Sequence, residues 1–301
     1  MLSIIVPCLN EQENINLFYK EIKRNIKNEK FEIIYIDDGS KDNTWKEITN
    51  LCKNYQNIKG IRLTRNFGKD EAILAALGNL NSLTKYAITL DCDLQYDPSY
   101  VNKMLNIMYK ENVRIVEGIK EKSDIPFISK VFNKIFSSFT GINFNQNSYL
   151  KLIDREVINY LISFKENNIF YRGLIAWTGF KTYKISIKLK KREKGRSRYS
   201  FKKLIILGLN AVTSFSFVPL VIICIIGFIY IAISTLMAIR IIYLRIFYGL
   251  SDGYATLFVL VSTSTSIIIF LLAIISLYLS KIYLETKARP KYIIDQLKNY
   301  E

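Results

Sequence analysis

The sequence predicts an α/β protein: a doubly wound, Rossmann-like and mostly parallel sheet, followed by an amphipathic interface helix and two transmembrane helices. Three observations carry that expectation. Short apolar runs rich in β-branched residues alternate with helical segments over roughly the first 115 residues. Acidic or amide residues stand within three residues after three of those runs. Two stretches without a charge, residues 204–239 and 254–280, each exceed the roughly 20 apolar residues that cross about 30 Å of hydrocarbon.

Residues 2–7 (L-S-I-I-V-P) and 31–36 (F-E-I-I-Y-I) read as buried parallel strands. Residues 58–63 and 86–90 read the same way, and 113–117 supply a fifth strand. Helices are expected over 11–28, 42–54, 68–80 and 98–110, with Asp42 as an N-cap and Pro98 in a first turn. In such sheets ligands bind beyond the carboxyl ends of the strands. Those ends carry Asn10 and Glu11, then Asp37 and Asp38, then Asp91 and Asp93. One such position alone is an ordinary turn; three in succession point to a shared site. From Tyr199 a different pattern begins, with Phe201, Leu204, Ile205, Gly208, Val212 and Phe215 on one helical face. The expected organisation is a cytosolic domain over 1–198, an amphipathic juxtamembrane helix over 199–216, spans at 217–239 and 254–280, and a cytosolic tail over 281–301.

Charge placement orients the chain. The net charge is +16, and residues 181–203 hold eleven Lys or Arg against Glu193 alone. A basic block beside an apolar span marks the cytoplasmic face and attracts anionic lipid, at about 1 kcal/mol per basic residue, rather than nucleic acid. The connection 240–253 carries only Arg240, Arg245 and Asp252, which places it outside and both flanks inside. Residues 2–6 are apolar with no basic residue before them, so no secretory signal is expected. Cys8, Cys52, Cys92 and Cys224 show no paired spacing, which argues for reduced thiols rather than a zinc site or disulfides. Histidine is absent, so carboxylates must do any acid–base or metal-binding work.

The sharpest motif is Asp91-Cys92-Asp93-Leu94-Gln95, directly after an apolar strand. Two carboxylates one residue apart can share a hard divalent cation, and Mg²⁺ takes one or two carboxylates plus substrate phosphates. No G-x-G-x-x-G follows the first strand and no G-x-x-x-x-G-K-[ST] occurs, so neither a dinucleotide loop nor a P-loop is expected.

Beyond that motif the chain resembles the polyprenyl-phosphate glycosyltransferases within the family-2 glycosyltransferases. That group contains dolichyl-phosphate mannose synthases and bacterial polyprenyl-phosphate glucosyltransferases. The matching segments are residues 5–15 (I-V-P-C-L-N-E-Q-E-N-I), 36–44 (I-D-D-G-S-K-D-N-T), 63–70 (L-T-R-N-F-G-K-D) and 90–98 (L-D-C-D-L-Q-Y-D-P). Further on come 172–180 (R-G-L-I-A-W-T-G-F), 192–200 (R-E-K-G-R-S-R-Y-S) and 278–294. The resemblance implies a glycosyltransferase-A-type fold. It implies that Pro7, Asn10 and Glu11 line the base and ribose pocket, with Asp38 and Lys69 as further nucleotide or phosphate contacts. Asp91 and Asp93 would bind the donor diphosphate and Mg²⁺ or Mn²⁺, with Gln95 near the sugar. Arg192, Ser197 and Arg198 match the basic motif where the lipid phosphate meets the diphosphate, Arg192 and Arg198 standing with Asp93 and Gln95 as the catalytic set.

Two segments depart from the family pattern. The G-D-F-R-L that often precedes the Asp154-Arg155 pair is here Ser148-Tyr149-Leu150-Lys151-Leu152, and G-x-R is Gly118-Ile119-Lys120. Tyr149 thus replaces an Asp sometimes assigned as base, and the base is left unassigned. A phosphate monoester with a second pKa near 6 is already largely a dianion and needs positioning more than deprotonation. The activity implied is inverting transfer of a hexose from a nucleotide sugar, UDP-glucose or another UDP-hexose, to polyprenyl phosphate, for modification of a cell-envelope glycan. The alternatives are a processive polysaccharide synthase, whose Q-x-x-R-W segment is missing, and a non-catalytic membrane protein that binds lipid or partner subunits. Residues 262–266 (S-T-S-T-S) offer small polar side chains for helix packing in a homo-oligomer.

Overall fold

A computed structural model describes residues 1–26, 30–120, 150–166, 170–188, 218–248 and 253–300. The chain divides into one unit of residues 1–200 with 289–301 and a second of residues 201–288.

The first unit is built on β1 (Leu2–Cys8), β2 (Phe31–Asp37), β3 (Ile58–Leu63), β4 (Tyr86–Thr89), β5 (Ile115–Lys120), β6 (Lys151–Asp154), β7 (Thr182–Ile187) and β8 (Ile294–Lys298). They form a single sheet in the order β7-β5-β6-β4-β1-β2-β3-β8. β4, β1, β2 and β3 run parallel, as do β5 and β7, whereas β6 and β8 run antiparallel to their neighbours. The continuous apolar runs of β1 and β2 follow from burial on both faces. Leu2, Ile4, Val6 and Cys8 alternate onto one face and pack with Phe18 and Ile22 of α1 (Ile15–Asn25), Ile48 and Leu51 of α2 (Thr44–Asn54), and Val101, Met104 and Leu105 of α4 (Ser99–Glu111). α3 (Lys69–Gly78) buries Ala72 through Leu77 against β1 and β2, and α5 (Arg155–Ser163) and α6 (Tyr171–Trp177) pack beside it.

Two helices start later than the sequence predicts. α1 begins at Ile15, not residue 11, because residues 10–12 are tied to the loop after β2. α2 begins at Thr44, and Asp42 accepts from the amide and hydroxyl of Thr44 at 3.0 and 2.6 Å. Residues 281–301, expected as a tail, include β8. That strand adds antiparallel to β3, pairing Gly60 with Lys298 and Arg62 with Gln296. Asn299 closes it, donating to the carbonyls of Cys52 and Ile58 at 2.7 and 2.8 Å.

The second unit holds α7 (Val218–Tyr248) and α8 (Tyr254–Thr286). Two spans were expected. Among the described residues one helical segment, Thr263–Thr286, is long and apolar enough to cross a membrane. α7 runs past the expected end of its span and takes Arg240 and Arg245, expected in a loop, into the helix. Tyr230 and Ser264 hydrogen-bond between α7 and α8 at 2.7 Å, so part of the polar run 262–266 is used within one chain. The amphipathic helix expected over 199–216 lies outside the described residues.

Candidate active site

Three parallel strands end together. Cys8 pairs with Asp37 and Ile5 with Thr89, so a further two residues along β1 and β4 bring Pro7 and Asp91 to the same sheet edge. The loops beyond this edge are stitched to one another. The Asn10 amide donates to Ser40 Oγ at 2.9 Å and the Lys41 amide to Asn10 Oδ1 at 2.9 Å. The Glu11 amide donates to Thr44 Oγ1 at 2.8 Å. Asn10 holds φ 53°, a left-handed conformation that Asn tolerates better than most residues.

The two acids after β2 hold loops in place. Asp37, fully buried, accepts from the Ser40 amide at 2.8 Å and lies 3.7 Å from Arg62 Nε. Asp38 accepts from the amides of Phe67 and Gly68 at 2.7 and 3.1 Å. Burial raises its carboxyl above the ordinary range, and the two amides oppose that rise. Between these acids and the 65–68 loop sits Gly39, at φ 70°. A Cβ there would stand 2.5 Å from the Arg65 carbonyl carbon and 2.6 Å from the Asn66 nitrogen, both backbone atoms. Gly39→Ala therefore combines left-handed strain with a steric clash, at about 2–4 kcal/mol together. It should lower the Tm and weaken donor binding, as read by thermal unfolding and a nucleotide-sugar titration; a wild-type Tm would show that the 65–68 loop gives way freely.

Lys69, the first residue of α3, pairs with Asp91, each about 29 % exposed. Asp93 Oδ1 accepts from the Gln95 amide at 3.2 Å across a turn in which Leu94 holds φ 55°. The residue types suit a hard cation: two carboxylates one residue apart at an open strand end, with the Lys69 ammonium already drawn to one of them. Among the described residues no group of three or more Asp, Glu, Cys or His side chains converges, so substrate oxygens would complete such a coordination shell. Cys8 and Cys92 are buried free thiols, and burial with mutual proximity pushes the Cys8 thiol well up.

The structure thus gathers Pro7, Asn10, Glu11, Asp38, Lys69, Asp91, Asp93 and Gln95 at one edge. Arg192, Ser197 and Arg198 lie outside the described residues, as does Tyr149. Asp154, of the Asp154-Arg155 pair, caps α5 by accepting from the Val157 amide at 3.0 Å and pairs with Arg114 at 3.0 Å.

Glu71 belongs to this neighbourhood and was missed in the sequence, where it reads as an ordinary first-turn acid. Burial pushes its carboxyl up to about 7, with Asp70 and Asp38 adding to the rise. A carboxyl whose pKa is higher folded than unfolded binds its proton more tightly when folded. Its contribution to stability is present at low pH and lost as pH rises from about 4.5 to about 7. The wild-type Tm should therefore fall relative to that of Glu71→Gln across that window. Parallel melting profiles of the two proteins would show that the group titrates normally.

Such a sheet, with paired carboxylates beyond β2 and β4 on either side of β1, defines a glycosyltransferase-A-type domain. The chain belongs to glycosyl transferase family 2, whose description matches residues 3–165. It is similar along its whole length to a bactoprenol glucosyl transferase of Shigella phage SfX, 30% identical and covering 99% of both chains. A prophage bactoprenol glucosyl transferase homolog of Escherichia coli strain K12 matches with the same identity and coverage. Among solved structures, a mannosyltransferase of Pyrobaculum calidifontis in complex with GDP-Man and Mn²⁺ shares 18% identity at a TM-score of 0.49, covering 65% of this chain and 58% of that one.

Proposed function

We propose that the chain transfers a hexose from a nucleotide sugar, UDP-glucose foremost, to polyprenyl phosphate at the cytoplasmic face of the cell membrane, for modification of a cell-envelope glycan. The observation that carries this reading is the convergence of Asp91, Asp93 and Lys69 at the edge where Pro7, Asn10 and Glu11 also lie. Full-length similarity to proteins named bactoprenol glucosyl transferase supports the lipid acceptor.

In this reading Pro7, Asn10 and Glu11 line the base and ribose pocket, and Asp38 shapes it through the 65–68 loop that it holds. Asp91 and Asp93 would hold Mg²⁺ or Mn²⁺ together with oxygens of the donor diphosphate, with Lys69 as a further phosphate contact. When bound, the ion supplies charge neutralisation for the departing diphosphate. Arg192, Ser197 and Arg198 hold the lipid phosphate, since guanidinium forks pair two phosphate oxygens at once. One phosphate oxygen attacks the anomeric carbon as the bond from that carbon to the diphosphate oxygen breaks. The bonding pair leaves with the nucleoside diphosphate, and a single displacement inverts the centre. The acceptor is largely dianionic at neutral pH, so the residues around it position and screen rather than deprotonate it.

Chain connectivity supports two spans. Residues before 189 and after 288 build one sheet, so a chain that crosses at Thr263–Thr286 has to cross once more to return to it. In this reading α7 is that second crossing. The reading is tested by screening nucleotide sugars against the purified chain with polyprenyl phosphate and divalent metal. Metal-dependent formation of a polyprenyl-phosphate hexose is expected. Absence of turnover across a broad panel would overturn it.

A further inference from the structure

α5 and the turn after α6 present a cluster of large apolar side chains to solvent. α5 buries Val157, Ile158 and Leu161, and Tyr160, 50% exposed, stands on one flank of that buried stripe. Phe164, four residues after Tyr160, meets Trp177 edge-on with ring centroids 5.5 Å apart. Tyr160 meets Phe180 at 5.8 Å. Trp177 is 64% exposed, and a Cβ on Gly179 would meet nothing within 4 Å, so the turn carrying Trp177 and Phe180 projects into open space. A contiguous aromatic patch at this exposure marks a contact surface rather than part of the core.

Charge and connectivity identify what it contacts. Lys165 and Lys181, next in sequence to Phe164 and Phe180, are exposed, as is Lys184 two residues into β7, and the Arg114 guanidinium lies 5.4 Å from the Phe180 ring centre. The neighbouring acids are Glu166, Glu156 and Asp154, and the last two are both paired with Arg114. A second copy of the chain docked by a two-fold axis would set these lysines against one another, whereas an anionic bilayer meets them with opposite charge. The chain connection that follows the second apolar helix also reaches it. Lys291, five residues after the end of α8, donates to the Phe164 carbonyl.

We propose that this patch is a membrane-contact surface of the catalytic unit, with Tyr160, Phe164, Trp177 and Phe180 in the interfacial layer of an anionic bilayer and the lysines at headgroup level. Tyr and Trp favour that layer because an apolar ring carries a polar edge, and lysine stems lie along it with the charge in water. The proposal rests on reading α7 and α8 as membrane spans and adds a second, peripheral contact to them.

The chain has two tryptophans, so Trp45→Phe leaves Trp177 as the single fluorophore. The full chain carrying this change is reconstituted into vesicles of phosphatidylcholine and phosphatidylglycerol with brominated acyl chains. Trp177 emission should shift to the blue and lose intensity relative to unbrominated vesicles, and lose less of it in pure phosphatidylcholine. Co-flotation with vesicles while Trp177 stays unquenched would overturn the proposal and leave the spans standing. Failure to co-float would overturn the spans and the proposal together. Trp177 unquenched but cross-linking to a second copy would assign the patch to self-association and overturn the bilayer contact.

Discussion

Asp91→Asn and Asp93→Asn should each lower metal-dependent sugar transfer about a thousandfold while leaving the chain folded. The magnitude follows from removing one charged ligand from a site whose task is to neutralise a leaving diphosphate: about 4 kcal/mol of transition-state stabilisation, at 1.36 kcal/mol per tenfold in rate. No histidine is available to take over, and among the described residues no third acid converges on the pair. Retention of the fold follows from the hydrogen bonds. An amide at position 93 still presents an acceptor to the Gln95 amide, and an amide at 91 still offers its oxygen to Lys69, itself 29% exposed. The measurement is single-turnover transfer to polyprenyl phosphate over a metal titration, beside a thermal melt. Wild-type turnover in either variant would remove that carboxylate from the site. A collapsed melt would instead mark it as a structural residue.

The acids of this site were legible because each follows a strand whose apolar run is unmistakable, and because parallel strands place such residues at one edge. What they do there was not. The sequence reads Asp38 as a nucleotide contact, yet its two oxygens accept amides from residues 67 and 68, almost thirty positions away. Asp37 reads as one of the strand-end acids, and Gly39 only as part of the 36–44 segment. Only the folded chain shows Gly39 filling a space that the Arg65 and Asn66 backbone leaves too small for a Cβ. Glu71 carries little local signal either, because its raised carboxyl comes first from burial, with smaller contributions from its neighbour Asp70 and from Asp38, which folding brings near.

The limits of the fold reading have the same origin. Strands buried on both faces announce themselves by composition, as β1 and β2 do. β8, with the sequence I-D-Q-L-K, is an edge strand exposed over most of its length and paired only with β3. Its register depends on Asn299 reaching carbonyls more than 240 residues earlier in the chain. A propensity argument has nothing to grip there. Helix starts failed for a related reason: residues 10–12 satisfy their amides on side chains of the 40–44 loop, and so do not begin the helix.

β6 is the extreme case, a four-residue strand that opens on a lysine. Lys151 is about 2% exposed and pairs at 3.0 Å with Glu117, its cross-strand partner on β5, itself about 5% exposed. Burial holds the Lys151 ammonium below the ordinary lysine range, Glu117 works against that, and Arg172 and Lys184 add to the lowering. Removing one member of a buried pair leaves the other charged and without its counter-ion, at about 3–5 kcal/mol. Lys151→Met should therefore lower the Tm by about 10 °C, at 2–4 °C per kcal/mol for a domain of this size. Replacing both members, Lys151→Met with Glu117→Leu, should recover most of that loss, because well-packed apolar pairs substitute for buried ion pairs with little net cost. The double variant also separates structure from chemistry. Lys151 stands where the resembled family carries the arginine of its G-D-F-R-L segment, with Arg172 and Lys184 close enough to affect its charge. If the pair only holds β5 to β6, transfer activity returns with the Tm. If this cationic group also meets a phosphate, the melt recovers and turnover does not.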